Sequence, residues 1–459
     1  MNIKKWWSSL THGETSWNYH IDYPSEEHGY PQDKTGWIVQ GWVLVEPKVY
    51  EQLGPKHKPH LSLKLNENLV RYVPLDRARP DVIDSVQSSK EKTAYQAQLL
   101  CGFRLSMPLA GVRLPLYLHV GEQVHLLTEL HLPEVAEEQN NSAKQVLKVL
   151  QGKSSWLFLD NDTNFSVDQH RGYLGLSQSC GLQWQRYLQG WQRHLQSFGS
   201  KAVFLVAPTK ESVLTQYYPY QAAEHNLLSA IFDLMPTEMY LYPVAQLKAL
   251  GDESYYKTDT HWTQQGACLA SCLVAQRLGL DQKHVDSIFE QDRYQMKRHS
   301  GDLGKKLEPH AVQLEAFLVS FTYRNWVVFD NGLPNFGRVL LIEYEEALTN
   351  TTCLIFGSSS SYSMFSYLCR IFKRVVFVHT AGQIDPLLLQ TVTPDYVIAQ
   401  TNARFMVRPP RADYDVLAQI KEKSQKLSAE QKEKVVVINQ PKKQRLIQQL
   451  GLEQYVAEL

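Results

Sequence analysis

An α/β domain on a doubly wound, mainly parallel sheet, preceded by an antiparallel β-sandwich and followed by a short mixed tail, is the architecture this sequence predicts. Three observations point to it. Period-2 apolar alternation runs from about Ser16 to Pro133, short apolar runs alternate with amphipathic segments after residue 180, and the polar stretch Glu137–Ser142 separates the two patterns. The 459 residues exceed what one hydrophobic core usually supports, so two domains of unequal size are expected.

In the first part, Gly36–Val45, Leu61–Leu65, Leu114–Val120 and Val124–Leu127 read as strands divided by Pro, Gly and Asn, with no helix of consequence. Residues 1–136 form the expected sandwich. Trp37, Trp42 and Tyr72 could stack on sugars, although aromatic residues at strand spacing serve cores more often. Asn141 or Ser142 is suited to cap a helix over Ala143–Leu150, which opens the second domain.

The larger domain is expected over 143–410. Trp184, Tyr187, Leu188, Trp191, Leu195 and Phe198 form one helical stripe, Gly199 can end that helix, and Ala202–Ala207 reads as a buried strand. Similar strands are expected at Met239–Val244, Thr352–Phe356, Arg374–Val378 and Tyr396–Ala399. In such a sheet the loops leaving the strands' C-terminal ends gather into one crevice. Pro409 and Pro410 close the domain. The charged tail, 411–459, suits a solvated helix over 413–434, a short strand or docking segment at Val435–Ile438, and a helix over 442–456.

Lys plus Arg and Asp plus Glu each number 47, which leaves no net field to draw nucleic acid or an anionic surface. The N-terminus has no apolar run behind its two lysines, and no stretch of about 18 apolar residues occurs, so the expectation is a cytoplasmic protein without a membrane span. The six cysteines lack metal-binding spacing and read as buried free thiols. Cys268 and Cys272 share a helical face, but their neighbours Leu269, Ala270, Leu273 and Val274 favour core packing. No metal site is expected.

Two segments carry chemistry. Thr258-Asp-Thr-His-Trp262 sets a carboxylate two residues before an imidazole, just ahead of a helix that Thr263 can cap. A carboxylate that binds one ring nitrogen fixes the tautomer and frees the other nitrogen to take a hydroxyl proton. Cys353-Leu-Ile-Phe-Gly-Ser-Ser-Ser-Ser361 reads as strand, glycine turn and helix start. A serine there is lifted out at the sheet's edge, with its own N–H and the helix N-terminus aimed at an oxyanion. Ser359 is the expected nucleophile and Ser361 the reserve. Gly357, Lys210, Asn402 and Arg404 are candidates to touch substrate or oxyanion, while Asp302 reads as a turn residue and His170 as surface.

Six segments, Gly152–Leu159, Val206–Lys210, Thr258–Trp262, Gly301–Gly304, Phe356–Ser361 and Pro394–Ile398, resemble the ordered landmarks of the alginate O-acetyltransferase group, the AlgJ and AlgX type of SGNH hydrolase. The resemblance spans residues 146 to 408. It implies an SGNH-like fold with Asp259 as orienter, His261 as base and Ser359 as nucleophile. Ser358 stands where the family has Asp, and the serine run leaves the nucleophile's register open. Leu75–Val82 with Cys101–Phe103 resembles a β-sandwich module attached to bacterial glycan enzymes.

The resemblance implies O-acetyl transfer to a polysaccharide or oligosaccharide acceptor of capsule or similar type, alongside other glycan-biosynthesis proteins. No bound cofactor is expected, and acetyl-CoA is the candidate soluble donor. A carbohydrate esterase on the same site, or a glycan-binding scaffold, are the alternatives.

Overall fold

The computed structural model describes residues 16–33, 36–54, 57–86, 89–108, 111–134, 149–198, 201–438 and 443–456. Chain contacts divide it into one unit of residues 1–148 with 160–177 and another of 149–159 with 178–459.

In the first unit, period-2 burial along Val112–Val120 puts Leu114, Leu116, Leu118 and Val120 inside, the pattern of a strand with one wet face. Strands β1 (Trp17–Tyr23), β2 (Trp37–Val45) and β5 (Gly102–Met107) form one antiparallel sheet in the order β1-β2-β5. A second sheet has the order β10-β4-β3-β6-β7, from β3 (His60–Lys64), β4 (Leu69–Pro74), β6 (Val112–Val120), β7 (Gln123–Leu132) and β10 (Leu174–Leu176).

Several expectations change here. Short helices at Pro47–Gln52, Pro80–Ser85 and Ser89–Tyr95 interrupt the strands, and Val82 and Ile83 pack with Trp42 and Leu44 in one core cluster. Trp42 is therefore core and takes no sugar. Residues 160–177 group with the first unit although the sequence assigns them to the second. β10 pairs with β4, and Arg71 grips Asp168 through two buried hydrogen bonds of 2.7 and 2.8 Å. His170 is buried rather than on the surface.

In the second unit, Val203-Phe-Leu-Val-Ala207 is buried without a polar break, as a strand covered on both faces must be. Its sheet runs β12-β11-β19-β17-β18-β16-β15, with β11 (Lys201–Ala207), β12 (Tyr240–Leu241), β15 (Val327–Asp330), β16 (Val339–Glu343), β17 (Thr349–Gly357), β18 (Phe372–His379) and β19 (Tyr396–Asn402). Strands β12, β11, β19, β17 and β18 are mutually parallel, β16 pairs antiparallel with β18, and β15 pairs antiparallel with β16. Two hairpins accompany it, β8 (Val149–Gln151) with β9 (Leu157–Leu159), and β13 (Tyr294–His299) with β14 (Gln313–Leu318).

The stripe read over 182–198 lies in the helix Gln178–Phe198. The expected helix over Ala143–Leu150 and its caps lie outside the described residues up to 148, and Val149–Gln151 is a strand. Gly199 also lies outside them. The strand expected over Met239–Val244 shrinks to two residues because the helix Val244–Leu250 follows at once. Val435–Ile438 ends the helix Ala429–Ile438 instead of forming a strand. The cysteines are all free, four buried, with Cys268 and Cys272 half-buried. Among the described residues no helix is long and apolar enough to cross a membrane.

Candidate active site

The loop that carries Asp259 and His261 is closed at its base by a bridge between Tyr255 and Trp262. Thr263 then caps the helix Gln264–Arg277, its hydroxyl accepting from the Gly266 N–H at 3.0 Å. The Gly301–Gly304 segment forms the other wall. A side chain at Gly301 would strike Asp259 and the Thr258 carbonyl, so only glycine permits the approach. Asp302 accepts the Thr260 N–H at 2.8 Å and the Thr260 hydroxyl, while its own N–H donates to Asp259 Oδ2 at 3.0 Å. The turn residue of the sequence reading is thus a brace of the histidine loop.

The serine loop leaves β17 at Gly357 and enters the helix Ser361–Ile371. Three of its four serines face inward. Ser358 N–H, Ser358 Oγ and Ser361 Oγ each donate to Gln400 Oε1 at 2.8 Å, and Ser360 Oγ donates to Asn402 Oδ1 at 2.7 Å. Gln400 and Asn402 stand two apart on β19, on the same face of the strand. Ser359 alone turns outward, and its Oγ lies 2.9 Å from His261 Nε2. Of the run, Ser359 is the serine brought to the imidazole, whereas Ser361 is buried and held by Gln400.

On the far side of the imidazole, Nδ1 is 2.6 Å from Asp259 Oδ1, which also accepts the His261 N–H at 3.0 Å. Two carboxylates with opposite tendencies flank this point. Burial raises the pKa of Asp259, but hydrogen bonding to His261 and His299 outweighs it and holds the carboxyl well below the ordinary range. Burial and the Asp259 charge instead push Asp302 upward. Asp259 therefore stays ionised opposite Nδ1, and Nε2 is left to exchange a proton with Ser359.

Asp259, His261 and Asp302 also offer ligand atoms within 4.8 Å of one another. The direct 2.6 Å contact between Nδ1 and Oδ1 occupies the space an ion would need, so this group fits an orienting pair better than a metal.

A cleft beside the imidazole is lined by Lys210, Glu211, Trp262, Ser360, Asn402 and Arg404. Lys210 is buried, and its Nζ donates to the carbonyls of Tyr256, Lys257 and Asp259 at 2.9, 3.3 and 2.6 Å. With its donors so committed it is not a substrate clamp, which corrects the sequence reading. Gly357 is also corrected. It is enclosed in the strand, its carbonyl takes the N–H groups of Thr380 and Ala381, and a side chain there would strike Ser361. Asn402 does reach the cleft, and among the described residues no acceptor takes its amide nitrogen or the Ser359 N–H. Arg404 lies over the Phe405 ring at 4.9 Å, and its charge acts on Glu211, whose pKa burial raises.

Gln400, Trp262 and the bracing role of Asp302 were not read from the sequence. For Gln400 a signal existed, because it stands one strand period before Asn402.

Residues 149–318 match the family described as SGNH hydrolase-like domain, acetyltransferase AlgX. That stretch holds Asp259 and His261 and ends before Ser359. The stretch is therefore similar to the SGNH hydrolase-like domain of that family. A probable alginate O-acetylase AlgJ of Pseudomonas putida is 27% identical over 136 residues, 28% of this chain and 33% of that protein. The chain thus spans about a third of the curated relative it matches. Among solved structures, Bacillus cereus PatB1 is similar with a TM-score of 0.41 at 12% identity, over 58% of this chain and 99% of that one. The O-acetyltransferase domain of Pseudomonas putida AlgJ gives 0.36 at 18%, over 61% and 99%. Pseudomonas aeruginosa AlgX gives 0.29 at 15%, over 57% and 67%.

Proposed function

We propose that the second unit transfers an acyl group, in the simplest case acetyl, to a hydroxyl of a bacterial polysaccharide or its precursor through an acyl-serine intermediate. The observation that carries this reading is the unbroken line from Asp259 through both nitrogens of His261 to Ser359 Oγ. Ser359 Oγ attacks the donor's carbonyl carbon while His261 Nε2 takes the hydroxyl proton. The Ser359 N–H and the Asn402 amide are the donors available to the oxyanion. As the tetrahedral adduct collapses, the bond to the leaving group breaks and that group takes the proton from His261. A sugar hydroxyl then gives its proton to Nε2 and attacks the acyl carbon, the bond from that carbon to Ser359 Oγ breaks, and Nε2 returns the proton to Oγ. The similarity to a protein named as an alginate O-acetylase supports the choice of acyl group and acceptor class.

Acetyl-CoA is the proposed soluble donor, in keeping with a cytoplasmic placement, and a capsule-type glycan is the proposed acceptor. A carbohydrate esterase is the second reading. It is favoured by the exposure of the His261 side chain, 29%, which lets water reach the base.

A fluorophosphonate probe followed by peptide mapping tests the chemistry. Labelling at Ser359 that disappears in Ser359→Ala and His261→Ala supports it, and a folded protein that never labels rejects it. Incubation with p-nitrophenyl acetate or acetyl-CoA and an oligosaccharide then separates acetylated sugar from free acetate.

A further inference from the structure

Lys210 is the first residue of the helix Lys210–Val213, which Pro208 and Thr209 join to β11, and the residue is 3% exposed. A buried ammonium without partners is costly, so its surroundings show what keeps it there. Three carbonyl oxygens converge on Nζ, those of Tyr256, Lys257 and Asp259, matching the three N–H bonds of the charged form. The rings of Trp156 and Phe158 lie at 5.6 and 5.3 Å, placed for cation–π attraction. Asp259, Asp302, Glu211 and Glu315 add favourable charge, against burial that pulls the pKa down to about 7.

All three accepting carbonyls belong to the four residues Tyr256–Asp259, one residue before His261. The Lys257 carbonyl also accepts the Leu157 N–H at 3.0 Å, so the Tyr256 and Asp259 carbonyls are the ones that lean most on Lys210. Carbonyl oxygens gathered around one point repel one another when nothing positive sits between them. The opposite side of the same turn is gripped by Asp302, so Lys210 and Asp302 hold it from two directions.

We propose that the Lys210 ammonium is the positioning residue that sets the backbone of the Tyr256–His261 loop, and through it the aim of His261 at Ser359. The catalytic consequence rests on the acyl-transfer reading above. The anchoring of the loop does not.

Two measurements on Lys210→Met test the proposal. Hydrogen–deuterium exchange across 256–261 is expected to accelerate about tenfold while the helix Gln264–Arg277 stays protected. Turnover of a small ester is expected to lose about a hundredfold in kcat with KM within about twofold, and Ser359 labelling to slow in parallel. In Lys210→Ala, added n-butylammonium restores labelling and n-butanol does not. If Lys210→Met fails to fold, Lys210→Gln carries the same measurements.

A folded variant with unchanged exchange and unchanged kcat overturns the proposal. So does equal rescue by the alcohol, which would reduce Lys210 to a space-filler. If the wild-type protein neither labels nor turns over ester, the acyl-transfer reading fails. The exchange result alone then decides whether Lys210 anchors the loop.

Discussion

Trp262 Nε1 lies 3.0 Å from the Ser360 carbonyl and 2.8 Å from Ser363 Oγ, so the residue after His261 is stapled to the residue after Ser359. The two loops are distant in sequence, and the distance between base and nucleophile depends on what joins them. Trp262 is 1% exposed, and loss of its N–H would leave the Ser360 carbonyl with only donors from its own segment, such as the Ser363 hydroxyl at 3.3 Å.

Trp262→Phe keeps most of the ring's packing and removes the staple. We expect a stability loss of about 1–3 kcal/mol by denaturant unfolding. Ser359 labelling should slow by at least about tenfold as the loops separate. A variant that loses stability but labels at the wild-type rate would show that the staple serves the fold alone.

Asp259 and Asp302 both approach His261 Nδ1, at 2.6 and 3.9 Å. Only the nearer is held strongly ionised, so the two should differ in weight. Asp259→Asn is expected to cost roughly three to four orders of magnitude in acylation rate, because an amide no longer enforces the tautomer. Asp302→Asn, which weakens the brace at Thr260 and removes a more distant charge, should cost about tenfold. The depressed pKa also predicts acid behaviour. A carboxyl that is more acidic in the folded protein stabilises it above its unfolded value of 3.8, and this stabilisation is lost as pH falls below that value. The melting-temperature gap between wild type and Asp259→Asn should therefore narrow on acidification below pH 3.8.

How far this arrangement was legible beforehand depends on whether its causes were local. Asp259 with His261, and the glycine turn before Ser359, are short-range patterns that spacing makes candidates and that the resemblance to the alginate O-acetyltransferase group brings together. The register within Ser358–Ser361 could not be read in this way, because it is set by Gln400 and Asn402 on a neighbouring strand. Lys210 was misread for a similar reason: its acceptors are backbone carbonyls 46 to 49 residues away and carry no side-chain signature. Val435–Ile438 has β-branched propensity yet continues a helix, where tertiary context overrides a four-residue preference. The antiparallel strands β15 and β16 lay outside the expected alternation of helix and strand and were missed.

Ser358 stands where the family that the sequence resembles carries Asp, and its surroundings here suit serine. It is fully buried, and both its N–H and its hydroxyl donate to Gln400 Oε1, with Asn402 Oδ1 at 3.4 Å. Apart from the Ser360 N–H, which reaches its Oγ at 3.4 Å, the groups it faces are acceptors. Ser358→Asp would aim a carboxylate at two amide oxygens. We expect a loss of about 3 kcal/mol or more unless Gln400 is changed with it. Ser358→Ala should cost only about 1 kcal/mol. Unfolding curves of both variants check the ordering, and a stable Ser358→Asp protein would mean that Gln400 turns its amide around.

His379 ends β18 beside Gly357, and its Nδ1 lies 3.1 Å from the hydroxyl of Tyr362, whose own N–H donates to the Ser359 carbonyl at 3.2 Å. Burial, helped by the charges of Arg338 and Lys423, pushes its pKa from 6.5 down to about 4. The folded protein keeps this imidazole neutral where the unfolded chain would already bind a proton. Between pH 6.5 and about 4 the unfolded state therefore holds more protons, and stability falls as the solution is acidified through that window. The group accounts for a loss on the order of 3 kcal/mol across it. His379→Asn removes the titration and keeps an acceptor near Tyr362, so its stability should change less between pH 6.5 and pH 4 than that of the wild type. Denaturant unfolding at the two ends of the window measures this directly, and parallel slopes for the two proteins would assign the acid sensitivity to another group.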